Sequence, residues 1–155
     1  MGLRISEQFR IACLDWAVAE TAARELRAAV FVREQGIPEH LEWDGRDAEC
    51  VHAVAFAPDG VAIGVARLMP DGRIGRMAVR QDWRGRGVGS ALLHALLEQA
   101  ALLGLRRVYL HSQIPSCGFY SRHGFVAQGP EYQEGDIPHR TMQLDLPESP
   151  PGDAG

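Results

Sequence analysis

The stretch RGRGVGSALLHAL, residues 84–96, crowds three glycines against the beginning of a helical run. Glycine loses more backbone freedom on folding than any other residue, so a local need for bare backbone must offset that cost. The first amides of a helix have no partner within it, and the helix dipole adds partial positive charge there. With Arg84 and Arg86 beside them, these amides predict an anion site, most naturally for phosphates.

Two common phosphate-binding patterns fit this stretch poorly. A P-loop ends in Gly-Lys-Ser/Thr, and the chain contains no lysine. A dinucleotide fingerprint needs GxGxxG directly after a strand. Here Ser90 stands at the last glycine position, and residues 80–85 separate the predicted strand from the glycine-rich turn. The turn therefore belongs to a different fold.

Hydrophobic periodicity predicts the elements on either side of this turn. Phe9–Leu14 is a predicted strand, and helical spacing over residues 17–36 predicts a helix. Strands are then predicted over residues 50–56, 61–69 and 73–79, because PDG turn signals separate them as in a meander. The later predicted elements are a helix over 87–103, a strand over 106–112, a short helix over 115–124, and strands over 125–129 and 137–146.

This order of elements defines the expected fold class. A strand, helix and strand in succession after the meander imply a right-handed crossover and one parallel strand pair. We therefore expect a mixed, mostly antiparallel central sheet in a three-layer α/β (α+β) architecture. Residues 1–146 are expected to form a single domain, and the Pro/Gly-rich residues 147–155 a disordered tail.

Composition and charge narrow the function classes. The net charge of −4 argues against nucleic acid as a partner. No apolar run approaches the ~20 residues of a membrane span, and the N-terminus lacks a signal-peptide layout. The three cysteines show no CxxC spacing. We therefore expect a cytoplasmic protein with reduced thiols, without a metal site and without a membrane partner.

Two motifs carry a resemblance to a known family. RGRGVG, residues 84–89, fits [QR]xxGx[GA], the pyrophosphate-binding signature of the GNAT acetyltransferase superfamily. The longer stretch 76–93, RMAVRQDWRGRGVGSALL, is similar to that superfamily's strand, loop and helix as a unit. QIPSCGFYSRHGF, residues 113–125, resembles its downstream motif, in which Gln113 and Ser116 replace the usual asparagine and alanine. The residues of that motif that match outright are Phe119, Tyr120, Gly124 and Phe125.

Further stretches resemble one small bacterial subgroup of the superfamily. These are VFVREQGIP, residues 30–38, and GDIPHRTM, residues 135–142. The resemblance thus covers roughly residues 30–144, far more than a lone phosphate signature.

The resemblance implies a GNAT-like fold and acetyl-CoA as co-substrate. The pyrophosphate is expected on the backbone at the helix start, and the pantetheine arm along the preceding strand. The expected pyrophosphate-binding residues are Arg84, Gly85, Arg86, Gly87, Val88, Gly89 and Ser90. Those expected along the pantetheine arm are Met77, Ala78 and Val79, and Gln113, Phe119 and Arg122 complete the cofactor-binding set.

The resemblance also implies direct attack of an amine on the thioester, with Tyr120 protonating the departing thiolate as general acid. A core aromatic is the structural alternative for Tyr120. The base that deprotonates the amine is less determined, and the candidates are Glu34, His52, His111, His139 and a water chain. We take Glu34 as the catalytic residue, because burial near the mouth of the acceptor cleft would raise its pKa.

The charge pattern suggests what the acceptor is. Residues 34–49 hold six carboxylates against the single Arg46, and Glu131, Glu134 and Asp136 extend this acidic character. A surface of this kind favours a cationic amine, either a small molecule or a peptide. The alternatives are a non-catalytic CoA-binding sensor, transfer of a different acyl group, and transfer to oxygen. The sequence also leaves open whether the protein forms a homodimer.

Overall fold

The computed structural model describes residues 4–5 and 8–147. The strands are β1 (Arg4–Ile5), β2 (Arg10–Leu14), β3 (Val51–Phe56), β4 (Ala62–Leu68), β5 (Ile74–Val79), β6 (Arg107–Gln113), β7 (Val126–Glu134) and β8 (Ile137–Asp145). The α-helices are α1 (Trp16–Arg27), α2 (Glu39–Glu42), α3 (Val88–Leu102) and α4 (Cys117–Arg122). A π-helical segment, Ala28–Glu34, continues α1, and single 3-10 turns cover Asp47–Glu49, Gln81–Trp83 and Ile114–Ser116.

The described strands form two antiparallel sheets. The larger sheet has the order β1-β2-β3-β4-β5, and the smaller has the order β6-β8-β7. The two sheets meet at one parallel bridge, between Arg73 and Tyr109. The three-layer α/β class is confirmed, but the expected parallel strand pair is reduced to this bridge.

The bridge and the hydrogen bond beside it lie just before β5 and near the beginning of β6. The amide of Tyr109 donates to the carbonyl of Gly72 at 3.1 Å. A Cβ atom at Gly72 would lie 2.7 Å from the carbonyl oxygen of Arg107, so only glycine permits this approach. Further along β5, two residues oppose one on β4, and such a bulge bends its strand. The gap that opens between β5 and β6 holds the candidate site.

Helices cover both faces of the larger sheet, which gives the three layers. Val54 and Val65 face α1, whereas Ala53 and Ala66 face the cluster that includes α3. This alternation is the period of two that a strand imposes on its side chains. Leu92, Leu93 and Leu96 of α3 are fully buried against that sheet. The packing fixes the beginning of α3 beside the end of β5.

Several predicted boundaries change in the structure. The predicted helix over residues 17–36 is α1 followed by the π-helical segment. The predicted strand over 125–129 extends to Glu134, because it pairs along β8. Of the predicted tail, only residue 147 lies within the described residues. Among the described helices, none has the length and apolar character needed to cross a membrane.

Candidate active site

The bulge in β5 shapes the centre of the site. Val65 of β4 pairs with Ala78 and Arg67 pairs with Gly75, so Arg76 and Met77 together oppose one residue. Arg76 accordingly adopts a φ of 51°, a left-handed conformation that is uncommon for residues other than glycine. A bulge leaves backbone groups outside the ladder. The backbone around Met77 is therefore available to another partner.

The predicted anion site has the expected helix-end geometry. Gly87 caps α3 with a φ of 83°, in the left-handed region that glycine enters without penalty. Within the part of the chain that the structure describes, no side chain caps this end. The carbonyl of Gly87 accepts from the amide of Ala91 at 3.1 Å. The amides of residues 88–90 therefore point outward from the helix start without an intrahelical acceptor.

A cavity of about 430 Å³ opens in front of these amides. We call it the donor cavity. Most of the predicted cofactor residues line it: Met77, Val79, Arg84, Gly85, Gly87, Val88, Gly89, Ser90 and Phe119. Trp83 and Ser116 also line it, and sequence reasoning missed them although they lie within the quoted motifs.

Four predicted cofactor residues lie elsewhere. Ala78 is buried against α1, and the guanidinium of Arg86 lies 4.6 Å from the ring centroid of Trp83. Arg122 is exposed at the end of α4. Gln113 lies at the end of β6, where its amide donates to Gln35 at 2.8 Å. None of the four is among the side chains that line the donor cavity.

Arg84 and Glu34 form a bidentate ion pair at the edge of the donor cavity. The two guanidinium nitrogens donate to the carboxylate at 2.7 and 2.9 Å, and Arg84 Nε donates to the carbonyl of Val79 at 2.9 Å. These hydrogen bonds hold the pKa of Glu34 below its usual value, so the rise that we expected is not found. The pair favours a role for Glu34 in holding Arg84.

A second, smaller cavity of about 170 Å³ lies in the gap between β5 and β6. We call it the acceptor cavity. Four residues line both cavities: Gln35, Met77, Ser116 and Tyr120. The hydroxyl of Tyr120 lies 4.0 Å from Met77 Sδ, and burial raises the pKa of Tyr120 to about 12. Tyr120 therefore stays protonated at the junction of the two cavities.

The three histidines considered as bases occupy different environments. His52 is buried, its ring centroid lies 4.8 Å from that of Trp16 in a tilted arrangement, and it lies outside both cavities. His111 and His139 both line the acceptor cavity. His139 Nδ1 is engaged by the carbonyl of Ile137 at 2.7 Å, whereas His111 Nδ1 lies 2.9 Å from Glu134. Only the last two histidines can face an acceptor.

The acidic stretch is largely neutralised by arginines, which corrects the expectation of an acidic acceptor surface. Buried Arg27 pairs with Glu42 and with Asp47, both at 2.7 Å. Arg67 pairs with Asp47 at 2.9 Å. Burial alone would raise the pKa of Asp47, but the hydrogen bonds from Arg27 and Arg67 outweigh it and lower that pKa. Asp44 pairs in the same way with Arg67 and Arg76, at 2.5 and 3.3 Å.

Comparisons with known proteins agree with this architecture. The sequence profile of the Acetyltransferase (GNAT) domain matches residues 19–146. A Bacillus subtilis protein named as an acetyltransferase is 33% identical over 126 residues, covering 77% of this chain and 85% of its own.

Solved structures give the same result. A Lactobacillus plantarum protein named as an N-acetyltransferase superposes with a TM-score of 0.83 at 31% identity, covering 90% of this chain and 99% of its own. An acyl-CoA N-acyltransferase from Pseudomonas aeruginosa superposes with a TM-score of 0.78 at 35% identity, covering 87% and 98%. The chain therefore belongs to the GNAT acetyltransferase family and is an acyl-CoA-dependent N-acetyltransferase.

Proposed function

We propose that the protein transfers the acetyl group of acetyl-CoA to a primary amine of a small molecule or peptide, by direct attack and with Tyr120 as general acid. The observation that carries this proposal is the position of Tyr120, which lines both the donor and the acceptor cavity. A hydroxyl at that junction is within reach of a thioester that enters from one side and an amine that enters from the other.

The donor cavity suits the two polar parts of acetyl-CoA. Its pyrophosphate would accept from the outward amides of residues 88–90, where the helix dipole favours negative charge. Its pantetheine amides would pair with the backbone beside the bulge, near Met77 and Val79. Bare backbone at Gly85, Gly87 and Gly89 permits this approach, which accounts for the glycines at the helix start.

The acceptor cavity suits a small amine. Its volume of about 170 Å³ is modest, and its wall combines apolar groups such as Phe31 and Ile74 with Glu134. Glu131 and Asp136 are exposed and do not line it. Glu42 pairs closely with Arg27 and Arg76, whereas Glu134 lies 3.8 Å from Arg73, so Glu134 is the less compensated carboxylate of this wall.

The experiment that tests the proposal is a panel of amines, monitored by release of free CoA thiol and by the mass of the product. The panel includes polyamines, amino sugars, amino-acid derivatives and peptides, with alcohols as oxygen acceptors. We expect thiol release with at least one amine and a product heavier by one acetyl group. Acetyl-CoA binding without transfer to any acceptor would indicate a sensor module. Faster transfer from longer acyl-CoAs than from acetyl-CoA would show that the protein transfers another acyl group.

The ion pair between Arg84 and Glu34 yields a prediction for cofactor affinity. Arg84→Ala should weaken CoA binding by about 1.5–3 kcal/mol, the range for a hydrogen bond to a charged group. Glu34→Gln should leave affinity unchanged or tighten it, because the neutral amide competes less for the guanidinium that faces the pyrophosphate. Calorimetry with CoA and with dephospho-CoA measures both effects.

Dephospho-CoA is the control for this prediction. Because both ligands carry the pyrophosphate, Arg84→Ala should weaken them alike. A loss confined to CoA would assign Arg84 to the 3′-phosphate instead. A large fall in kcat for Glu34→Gln, with normal cofactor affinity, would return Glu34 to the role of base.

A further inference from the structure

His111 and Glu134 form a hydrogen-bonded pair on the wall of the acceptor cavity. His111 lies in β6 and Glu134 at the end of β7, and His111 Nδ1 is 2.9 Å from Glu134 Oε1. The pairing of β7 with β8 shifts register between Gln128 and Tyr132, and such irregularities bend a strand. The tip of the β7–β8 hairpin thereby brings the carboxylate to a ring on a strand that is not its direct neighbour.

The pair determines which ring nitrogen carries the proton. The hydrogen bond from His111 holds the pKa of Glu134 below its usual value, so this carboxylate is ionised and can only accept. His111 Nδ1 must then donate, which leaves Nε2 of the neutral ring as an acceptor. Within residues 8–147, Nε2 has no hydrogen-bond partner. Nε2 is therefore the ring nitrogen of His111 that can accept a hydrogen bond from a bound molecule.

Other titratable groups surround the pair, but they lie farther from either member than the two members lie from each other. The ring centroid of Tyr132 lies 5.8 Å from that of His111, edge-on, and that of Tyr109 lies at 6.2 Å. His139 Nε2 and Arg73 Nη2 approach Glu134 at 3.9 and 3.8 Å, both beyond hydrogen-bond distance. Glu42 and Arg76 also line the cavity, and they form an ion pair in which Arg76 Nε lies 3.2 Å from Glu42 Oε2. Among the described residues, the ring of His111 therefore has one direct charged partner, Glu134.

We propose that His111 is the general base of the acetyl transfer and that Glu134 is the positioning residue that orients it. The inference rests on the proposed function, since it assigns the proton acceptor of that reaction. It also selects among the candidates that the sequence left open, because Glu34 is paired with Arg84 and His52 lies outside the cavities.

The proposed transfer begins at the ammonium group of the acceptor. His111 Nε2 takes one proton from the acceptor ammonium, directly or through one water. The freed nitrogen lone pair forms the C–N bond to the thioester carbon, and collapse of the tetrahedral intermediate breaks the C–S bond. Tyr120 gives its hydroxyl proton to the sulfur and takes up the second nitrogen proton, while His111 releases the first to water. Ammonium and thioester thus become amide, thiol and one free proton.

His111→Gln tests the assignment, with an amine that the wild-type protein acetylates. We expect kcat/KM to fall roughly 10²–10⁴-fold, the usual span for general acid–base catalysis. The affinity for acetyl-CoA should be unchanged, which also shows that the variant is folded. The acidic limb of the pH–rate profile should disappear. Added imidazole should restore part of the activity of His111→Ala, a rescue that a structural role does not predict.

Glu134→Gln separates positioning from catalysis. The variant keeps the shape and removes the charge that stabilises the imidazolium. The acidic limb of the kcat profile should therefore move to lower pH, with a smaller loss of kcat than in His111→Gln, while a higher KM for the amine would report lost attraction for the acceptor. His40→Gln is the matched control, because His40 is exposed on α2 and lies outside both cavities. Its kinetics should equal those of the wild type.

Two outcomes would overturn the inference at different levels. If His111→Gln keeps kcat/KM within about threefold of wild type with the acidic limb in place, His111 is not the base, and the proposed transfer stands. If the wild-type protein acetylates no amine, the proposed function fails and the assignment of a base fails with it.

Discussion

Gly89→Asp should abolish acetyl-CoA binding and leave the fold intact. Gly89 lies in the first turn of α3, where the proposed pyrophosphate site needs bare backbone and positive potential. A Cβ atom there would meet Phe119 at 3.6 Å and Met77 Sδ at 3.7 Å, which are ordinary contacts. The first turn of α3 carries no acidic residue. The positive end of the helix dipole would therefore stabilise an aspartate at position 89. Stability should thus be retained while the carboxylate repels the phosphates.

Calorimetry and thermal unfolding measure the two sides of this prediction. Wild type should be stabilised by ~2.7 kcal/mol at 100 times the Kd of acetyl-CoA, and the variant should show no ligand-dependent shift. Gly89→Asn is the matched control, because it adds similar bulk without charge. It should bind more weakly than wild type and more tightly than Gly89→Asp. Normal affinity in Gly89→Asp would remove the phosphate site from the beginning of α3.

Local signals in the sequence predicted most of the elements. The helix over residues 87–103 is α3, because its apolar spacing and terminal Gly104 are local features. The meander of β3, β4 and β5 follows from its turn signals in the same way. The separation of β5 from β6 was not predictable. It depends on a bulge opposite β4 and on the approach of Gly72 to Arg107, and neither leaves a pattern in one strand alone.

The site shows the same division between local and distant information. The glycine-rich turn and Tyr120 could be named as candidates because each lies in a short motif. The ion-pair partners of the charged residues could not be named from the sequence. Arg84 is 50 residues from Glu34, and Arg67 is 20 residues from Asp47. Counting carboxylates in the loop predicted a negative surface, whereas arginines from α1, β4 and β5 neutralise much of it.

The second large effect is expected from Tyr120→Phe. The substitution keeps the ring that packs on Phe119 and Phe125 and removes only the hydroxyl. We expect kcat to fall roughly 10²–10⁴-fold, with KM for acetyl-CoA little changed, since the donor cavity is otherwise intact. Steady-state kinetics on an accepted amine, with acetyl-CoA binding measured separately, provide the test.

The raised pKa of Tyr120 constrains the proposed proton transfer and the pH range in which it can operate. Burial raises that pKa to about 12, well above the ~8.5 of an ordinary thiol, so complete transfer to the thiolate alone is uphill. In the proposed mechanism, the hydroxyl must therefore gain the nitrogen proton as it loses its own, which couples the two transfers. Because the proposed general acid acts in its protonated form, we expect activity to persist past pH ~10, where ordinary tyrosines ionise.

A structural tyrosine predicts the opposite pattern. The hydroxyl contacts Met77 Sδ at 4.0 Å, a weak interaction, so its removal should cost little stability. Thermal unfolding of Tyr120→Phe close to wild type, together with a large loss of kcat, therefore isolates the chemical role. If the variant keeps more than about a tenth of wild-type kcat, below the ~10²-fold effect of a general acid, the thiolate leaves unaided or through water. The acetyltransferase assignment does not depend on that outcome, because it rests on the fold and the family.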